Sequence, residues 1–426
     1  MIERIRLKYQ KNMVWLYPLK YILIMCLLSF IVILIDSKFT FIHNYIPNFL
    51  MTNKSLAQTI LSALVSAIIT IMTFTFSTTM VVLTMYSSQF SPRVVQNFLS
   101  EKMTLKVLGI FMGGFVYFIT SLLFIKDVEG SKSFISATVG VIYAIVCLAY
   151  FALFIFKVSS SIQANNLIGN LYDGAKNSIK RAVELHHSYS FKCENYSEIG
   201  KSKKNSYIVK SDRNGYIQSI DYAGILNSIS DKDSIVKIEI KNGEFVVLGQ
   251  PLAKVYMDEL LEEDNEKEIT KMINGYTVIE NTRNVTYDYM YAIEKIVDIT
   301  LRAISPGIND PNTAIQCINI LGVLLSMMSE ESTNVCKRKS EEYNGEIIYP
   351  YFNFKEDIYN TFYQIVIYGG EDISVVMAVL KALKNITYYA KGENLEAVEV
   401  IKKYGYDKTF DNFKNEMDRE KIKSFM

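Results

Sequence analysis

Eight hydroxyl residues recur along one uncharged segment: Thr59, Ser62, Ser66, Thr70, Thr73, Ser77, Thr84 and Ser88. Steps of three, four or seven place them on one face of an α-helix. Such a face can line a path for an ion or small polar solute. It can equally pack helix against helix, with each hydroxyl bonded to its own backbone or across a close interface. Both readings stay open, and Thr75, Thr78 and Thr79 lie off the stripe. On the first reading, Ser62, Ser66, Thr70, Thr73, Ser77 and Thr84 line the pore. No Asp, Glu, Arg or His lies at mid-membrane depth in the apolar segments, which removes the ionisable relay of a proton-coupled pump.

Other chemistry is scarce. The five cysteines, Cys26, Cys147, Cys193, Cys317 and Cys336, form no Cys-x-x-Cys pair and fit a reducing compartment. His186 and His187 are adjacent, so they point differently on a helix and make a poor metal pair; His43 is remote from both. There is no P-loop, dinucleotide fingerprint or nucleophile elbow. No catalytic residue, metal site or cofactor is therefore assigned, and an enzyme is the least supported class.

Three further motifs bear on function. Ser91, Pro92 and Arg93 follow the hydroxyl segment. Pro92 ends or kinks a helix, and Arg93 suits cytoplasmic headgroups, so this is either a basic anchor or a hinge. Gly109 and Gly113 form a Gly-x-x-x-Gly pair for close helix packing, within one subunit or between two. Ser305, Pro306, Gly307, Asn309, Asp310 and Pro311 form a polar loop. Pro306 ends one helix, and Asp310 with Pro311 caps the next. Capping accounts for most of these residues; the functional alternative is a contact for a ligand or the membrane domain.

The elements that must position these residues follow from the distribution of charge. Half of the 426 residues are hydrophobic and the formal net charge is +1. That near-zero total is a cancellation. Residues 1–157 carry 13 Lys/Arg and 5 Asp/Glu, whereas residues 158–426 carry 32 and 39. This excludes a disordered chain, a disulfide scaffold and a strongly basic nucleic-acid binder. It predicts a membrane-embedded first part and a mildly acidic soluble second part.

Four apolar runs are long enough to span a bilayer: Trp15–Ile35, the segment Ser55–Pro92, Val107–Ile125 and Phe134–Phe156. The second would be about 57 Å long as one helix, against a hydrocarbon core of about 30 Å. It holds no turn signal, so it reads as one long tilted or protruding helix. Lysine and arginine are richer before the first run and between the second and third, which places both termini in the cytoplasm.

The predicted organisation is a four-span transmembrane domain over 1–157, a helical stalk over 158–200, a small β-rich module over 201–285 and a helical domain over 286–426. The stalk carries an apolar stripe through Ile168, Leu171, Tyr172, Ala175, Ile179 and Ala182. In the β-module, Gly243 and Gly249 bracket a strand at positions where tight turns need positive φ. The surrounding segment resembles the hammerhead turns of biotinyl- or lipoyl-like barrels but lacks their Met-Lys-Met carrier hairpin. Residues 329–350 read as an exposed loop.

Two passages resemble the bacterial family called domain of unknown function 2254: Ser87-Ser-Gln-Phe-Ser-Pro-Arg-Val-Val-Gln-Asn-Phe-Leu99 and Val297-Asp-Ile-Thr-Leu-Arg-Ala-Ile-Ser-Pro-Gly-Ile-Asn-Asp-Pro311. Gly215–Asp221 and the glycine-bracketed strand are similar too, whereas Tyr287–Glu294 departs from the pattern. The resemblance covers most of the chain in order. It implies a multi-pass protein of the bacterial plasma (inner) membrane with a cytoplasmic C-terminal half, and no assigned activity.

The fold class expected is an α-helical integral membrane protein with four transmembrane helices. Its cytoplasmic α+β region contains a small β-module and a helical C-terminal bundle. The functional expectation is a homo-oligomeric ion or small-solute channel, regulated by that region. The alternative is a membrane-anchored sensor or scaffold whose cytoplasmic domain binds a ligand or partner. The expected partners are the lipid bilayer, further copies of the chain and a small ion or solute; no nucleic acid is expected.

Overall fold

The computed structural model describes residues 2–37, 45–89, 92, 102–125, 134–161, 163–187, 191–192, 203–229, 234–259, 263–331, 335–339 and 345–426. Its contacts divide the chain into two units, Ile2–Asn166 and Leu167–Met426.

Among its described residues the first unit holds four long helices: α1 (Ile2–Ser37), α2 (Lys54–Gln89), α3 (Lys102–Phe124) and α4 (Ser136–Ser161). The uncharged segment is a single helix, since nothing between Ser55 and Gln89 offers a turn. α3 packs against the other three. It meets α1 through Gly109 and Gly113, both within one chain. A Cβ at Gly109 would lie 2.8 Å from the Tyr21 ring, and one at Gly113 would lie 2.8 Å from Met25 Cγ. Small residues let the backbones approach, and Ser29 and Thr120 hydroxyls share a 2.5 Å hydrogen bond across the same interface.

Polar ties join the helix ends. The Asp36 carboxylate, closing α1, accepts from the backbone N–H of Ile135 at 2.9 Å and of Ser136 at 3.1 Å. It thus caps α4 in place of a local residue. Thr52 and Phe134 exchange backbone hydrogen bonds between the start of α2 and that of α4. Tyr117 on α3 donates to the Ser136 carbonyl at 3.0 Å.

The second unit begins with α5 (Ala164–His187), whose Leu167, Ile168, Leu171, Ala175 and Ile179 are buried at three-to-four spacing. Arg181 on α5 donates to the Thr286 carbonyl at 3.1 Å and stacks over Tyr287, so the helix is held to its own domain.

The β-region has two sheets. A six-stranded sheet runs β1 (Phe191–Lys192), β8 (Val335–Lys339), β9 (Glu346–Pro350), β4 (Ser234–Ile238), β6 (Pro251–Met257) and β2 (Asn205–Lys210). A three-stranded sheet runs β5 (Phe245–Val246), β3 (Gly215–Ile220) and β7 (Thr277–Glu280). Gly243 and Gly249 flank β5 with φ of +88° and +85°. The helices α6 (Tyr222–Ile229) and α7 (Glu263–Tyr276) complete the core, with Ile225, Leu226, Ile269 and Ile273 packed among Val209, Val236, Val255 and Ile347.

Here the sequence reading needs a correction. The stretch 329–350 is not simply a loop, because it contributes β8 and β9. Their alternation is weak in sequence, since Lys337 and Lys339 both pair with Glu346 on the outer side while Cys336 and Ile347 are buried. β4 pairs with β9 in parallel, so the sheet crosses the expected boundary at 285/286.

Six α-helices follow among the described residues: α8 (Tyr289–Ala303), α9 (Pro311–Ser329), α10 (Phe354–Gly369), α11 (Ile373–Thr387), α12 (Glu393–Thr409) and α13 (Glu416–Lys423). α9 packs on α8 and α11, with Gly322 against Ala382. By length and composition five described helices could cross a membrane: α1 to α4 and also α9. The most apolar stretch of α9 is 56% buried, close to the 50% of α3 and above the 17% of α2 and α4, so burial alone does not set α9 apart from the other four.

Candidate functional site

α2 has two chemically distinct faces. Ala57, Leu61, Ile68, Thr75, Val82 and Tyr86 are buried, on the side that meets α3 and α4. Ser62, Ser66, Thr70, Thr73, Ser77 and Thr84 are all exposed. The chain's own packing therefore leaves these hydroxyl residues uncovered, together with Ile69, Phe74, Phe76, Met80 and Val81 of the same helix.

Four of these hydroxyls are nevertheless bonded. Thr70 donates to the Ser66 carbonyl at 2.9 Å, Thr73 to Ile69 at 2.9 Å and Thr84 to Met80 at 2.9 Å. Ser66 reaches the Ser62 carbonyl at 3.2 Å. Each of these bonds returns to the preceding turn, a pattern that satisfies a hydroxyl in an apolar medium. A hydroxyl that donates keeps its acceptor capacity, so these exposed residues can offer oxygen to a cation or accept a hydrogen bond from a solute. Beyond α2, Pro92 is exposed; Ser91 and Arg93 of the expected hinge lie outside the described residues.

In the second unit, the loop Ser305–Pro311 is a capped turn. Asp310 accepts from Thr313 N–H at 3.1 Å and from its hydroxyl, with Pro311 opening α9. Ser305 donates to the Arg302 carbonyl at 2.6 Å. Pro306, Gly307 and Asn309 are exposed, and Asn309 has φ +50°. Capping uses the Asp310 charge and leaves the tip facing outward.

The structure also assembles a buried polar cluster that the sequence reading did not. Arg283 holds Asp288 with two bonds, at 2.7 and 3.0 Å, and Glu294 with one at 2.6 Å. Asp288 also caps α8 by accepting from Tyr291 N–H at 2.9 Å. Lys295, only 2% exposed, sits over the Tyr291 ring. Tyr289 donates to Asp357 of α10. The turn before β5 closes over this cluster: Gly243 lies directly on the Asp288 carboxylate, and Asn242 donates to the Tyr287 carbonyl at 3.3 Å.

Burial governs the acid–base state of the cluster. It pushes the Asp357 carboxyl up to about 6, against the pull of Lys241 and the Tyr289 hydrogen bond. It also raises Asp288, opposed by Arg283. For Arg283, burial disfavours the charge, but Asp288 and Glu294 outweigh it and hold the guanidinium firmly protonated. The only local signal was the Asp288 cap before an apolar-periodic helix; Asp357 and Gly243 are too distant in sequence to be associated with it. Among the described residues no cluster of His, Cys, Asp and Glu could hold a metal ion.

Comparison with known proteins gives a consistent picture. Two uncharacterised proteins, of Mycobacterium bovis and Mycobacterium tuberculosis, are each 23% identical over 345 residues. The match covers 78% of this chain and 63% of either relative, so it takes in less than two thirds of their length. No solved structure matches. A family model described as predicted membrane protein (DUF2254) matches residues 11–385, from within α1 to near the end of α11. The chain is thus a multi-pass membrane protein of the bacterial family DUF2254.

Proposed function

We propose that the chain is a subunit of a homo-oligomeric channel, or channel-like transporter, for an ion or small polar solute in the bacterial inner membrane. In this reading α1 to α4 cross the bilayer, both termini are cytoplasmic, and α9 stays within the soluble unit. The observation that carries it is the position of the hydroxyl face on the side of α2 that no other described helix of the chain covers. The uncovered side also carries Ile69, Phe74, Phe76, Met80 and Val81, which suit lipid, whereas the row of hydroxyls beside them suits a water-filled path. Several copies placed with these faces inward would line such a path. The exit at Ser91, Pro92 and Arg93 would be the hinge, and the soluble unit would regulate it.

A second reading rests on the internal hydrogen bonds of the same hydroxyls. With the donors of Ser66, Thr70, Thr73 and Thr84 satisfied within α2, the face can pack dry against another helix. The protein would then be a membrane-anchored sensor or scaffold, binding a ligand or partner through its soluble unit.

Flux into liposomes carrying the purified protein separates the two. The channel reading expects ion or solute flux, and replacement of Thr73 and Ser77 by Leu should abolish it. No flux under any gating condition tried, with correctly inserted oligomers, favours the scaffold. Flux unchanged by Thr73→Leu and Ser77→Leu moves the path off α2.

A further inference from the structure

We propose that two copies of the chain pair through the outer faces of α10 and α12, with the two α12 helices antiparallel about a two-fold axis near Val400. An apolar patch lies on those faces. Tyr359, Tyr363 and Ile367 follow one another at four-residue steps along α10, and Val400 and Tyr404 do the same on α12. The Tyr359 and Tyr363 rings stack with centroids 5.1 Å apart, and Tyr359 meets Tyr404 at 5.9 Å, which joins the two rows.

The patch is open to solvent. Tyr359, Ile367 and Val400 are 42%, 55% and 59% exposed. It is not a misplaced core, because the inner sides of both helices are filled: Ile358, Phe362, Ile365, Val398 and Ile401 are all buried. A lone exposed apolar side chain is ordinary, but a connected group of them marks a surface that something covers. Tyrosine is among the residues enriched where proteins meet.

The charges beside the patch select a second copy as its occupant. The outward stripe of α12 includes Glu396, Val400 and Lys403, all exposed. A two-fold axis near Val400 sets Glu396 of each copy against Lys403 of the other, so the stripe complements itself when reversed. At the ends, Glu393 meets Asp407 and Lys408 of the second copy, where an acidic and a basic group offset each other. Lys402 stays out of the contact, because it is buried and holds Glu399 at 2.7 Å within its own helix. A contact that uses the same patch on both copies needs this self-complementarity, and it closes at two. Anionic lipid is disfavoured by Glu396, Glu399 and Asp407. Copies held in one bilayer meet at high effective concentration, so a small contact suffices.

The pairing rests on the homo-oligomeric reading above, and its test separates the two. In membranes carrying the full chain, Val400→Cys places two thiols beside the axis, and a short bismaleimide should join them into a covalent dimer. The unsubstituted chain, whose Cys26 is exposed, sets the background. Glu396→Lys or Lys403→Glu, added singly, sets like charges opposite each other and should lower the crosslinked fraction at least about fivefold. The two together restore opposite charges and should recover it. All three positions are exposed, so the fold is spared. No dimer above background at Val400→Cys would overturn the proposal and leave the patch to another protein. Crosslinking that neither single reversal weakens, or that the double reversal does not recover, would also overturn it. A Ser77→Cys crosslink on α2 without one at Val400→Cys would keep the oligomer and remove this interface; the reverse result would keep the interface and remove the α2 path.

Discussion

Tyr289 donates its phenolic hydrogen to the Asp357 carboxylate at 2.9 Å, across 68 positions of sequence. Asp357 is buried and Tyr289 half-buried, and the bond ties the first turn of α8 to the first turn of α10. Folding raises the Asp357 carboxyl from an ordinary value near 4 to about 6. Between those values the folded chain keeps a proton that the unfolded chain releases. Stability should therefore fall as pH rises through about 4 to 6, by up to about 3 kcal/mol, and stay lower above it. Asp357→Asn keeps an oxygen for Tyr289 and removes the buried charge. It should flatten that slope and be the more stable protein at pH 7.5, as read by denaturant titration at several pH values. An unchanged slope would show that Asp357 does not set it.

Gly243 and Gly249 have nearly equal positive φ but different surroundings. A Cβ at Gly243 would run into the Asp288 carboxylate, whereas one at Gly249 meets nothing within 4 Å. Gly249→Ala should cost about 1 kcal/mol, the price of a left-handed backbone alone. Gly243→Ala should cost at least about 2 kcal/mol, because it also disturbs the Arg283–Asp288 pair. Comparable melting temperatures for the two would refute this order.

The same contrast holds along the helices. Gly113 is pressed against Met25, but Gly169 in α5 has open space around its Cα. Gly169→Ala should stabilise by about 0.5–1 kcal/mol, from helix propensity alone. Gly113→Val should separate α1 from α3 and destabilise by about 2 kcal/mol or more. A cysteine crosslink between the two helices would report the separation directly.

At the Ser305–Pro311 turn, Asp310→Ala removes the α9 cap and should cost about 1 kcal/mol. Asn309→Gly relieves the φ of +50° and should be neutral or slightly stabilising. If Asn309→Gly leaves stability intact but alters flux or partner binding, the loop tip has a role beyond the turn.

What could be read from the sequence was what repeats locally. The apolar helices, the hydroxyl periodicity of α2, the positive φ of Gly243 and Gly249, and the Asp310–Pro311 cap all depend on neighbours within a few residues. The full cluster did not show, because Gly243 and Asp357 reach Arg283, Asp288 and Glu294, which lie within 11 positions of one another, only after distant segments have folded. The Asp36 cap of α4 was hidden for the same reason: its partners are about a hundred residues away. Strands β8 and β9 escaped because their alternating positions carry lysines whose charges are neutralised by Glu346, so no apolar rhythm marks them.

The parallel pairing of β4 with β9 imposes an order on synthesis. Ile235 lies opposite Glu346, 111 positions later. At roughly 5–20 residues per second, translation leaves the β4 edge unpaired for roughly 6–22 s. During that interval its ladder groups are open to any extended chain nearby. Ribosome-bound chains halted before β9 should therefore be the most aggregation-prone species this protein forms, and the helix α9 must emerge before the sheet can close.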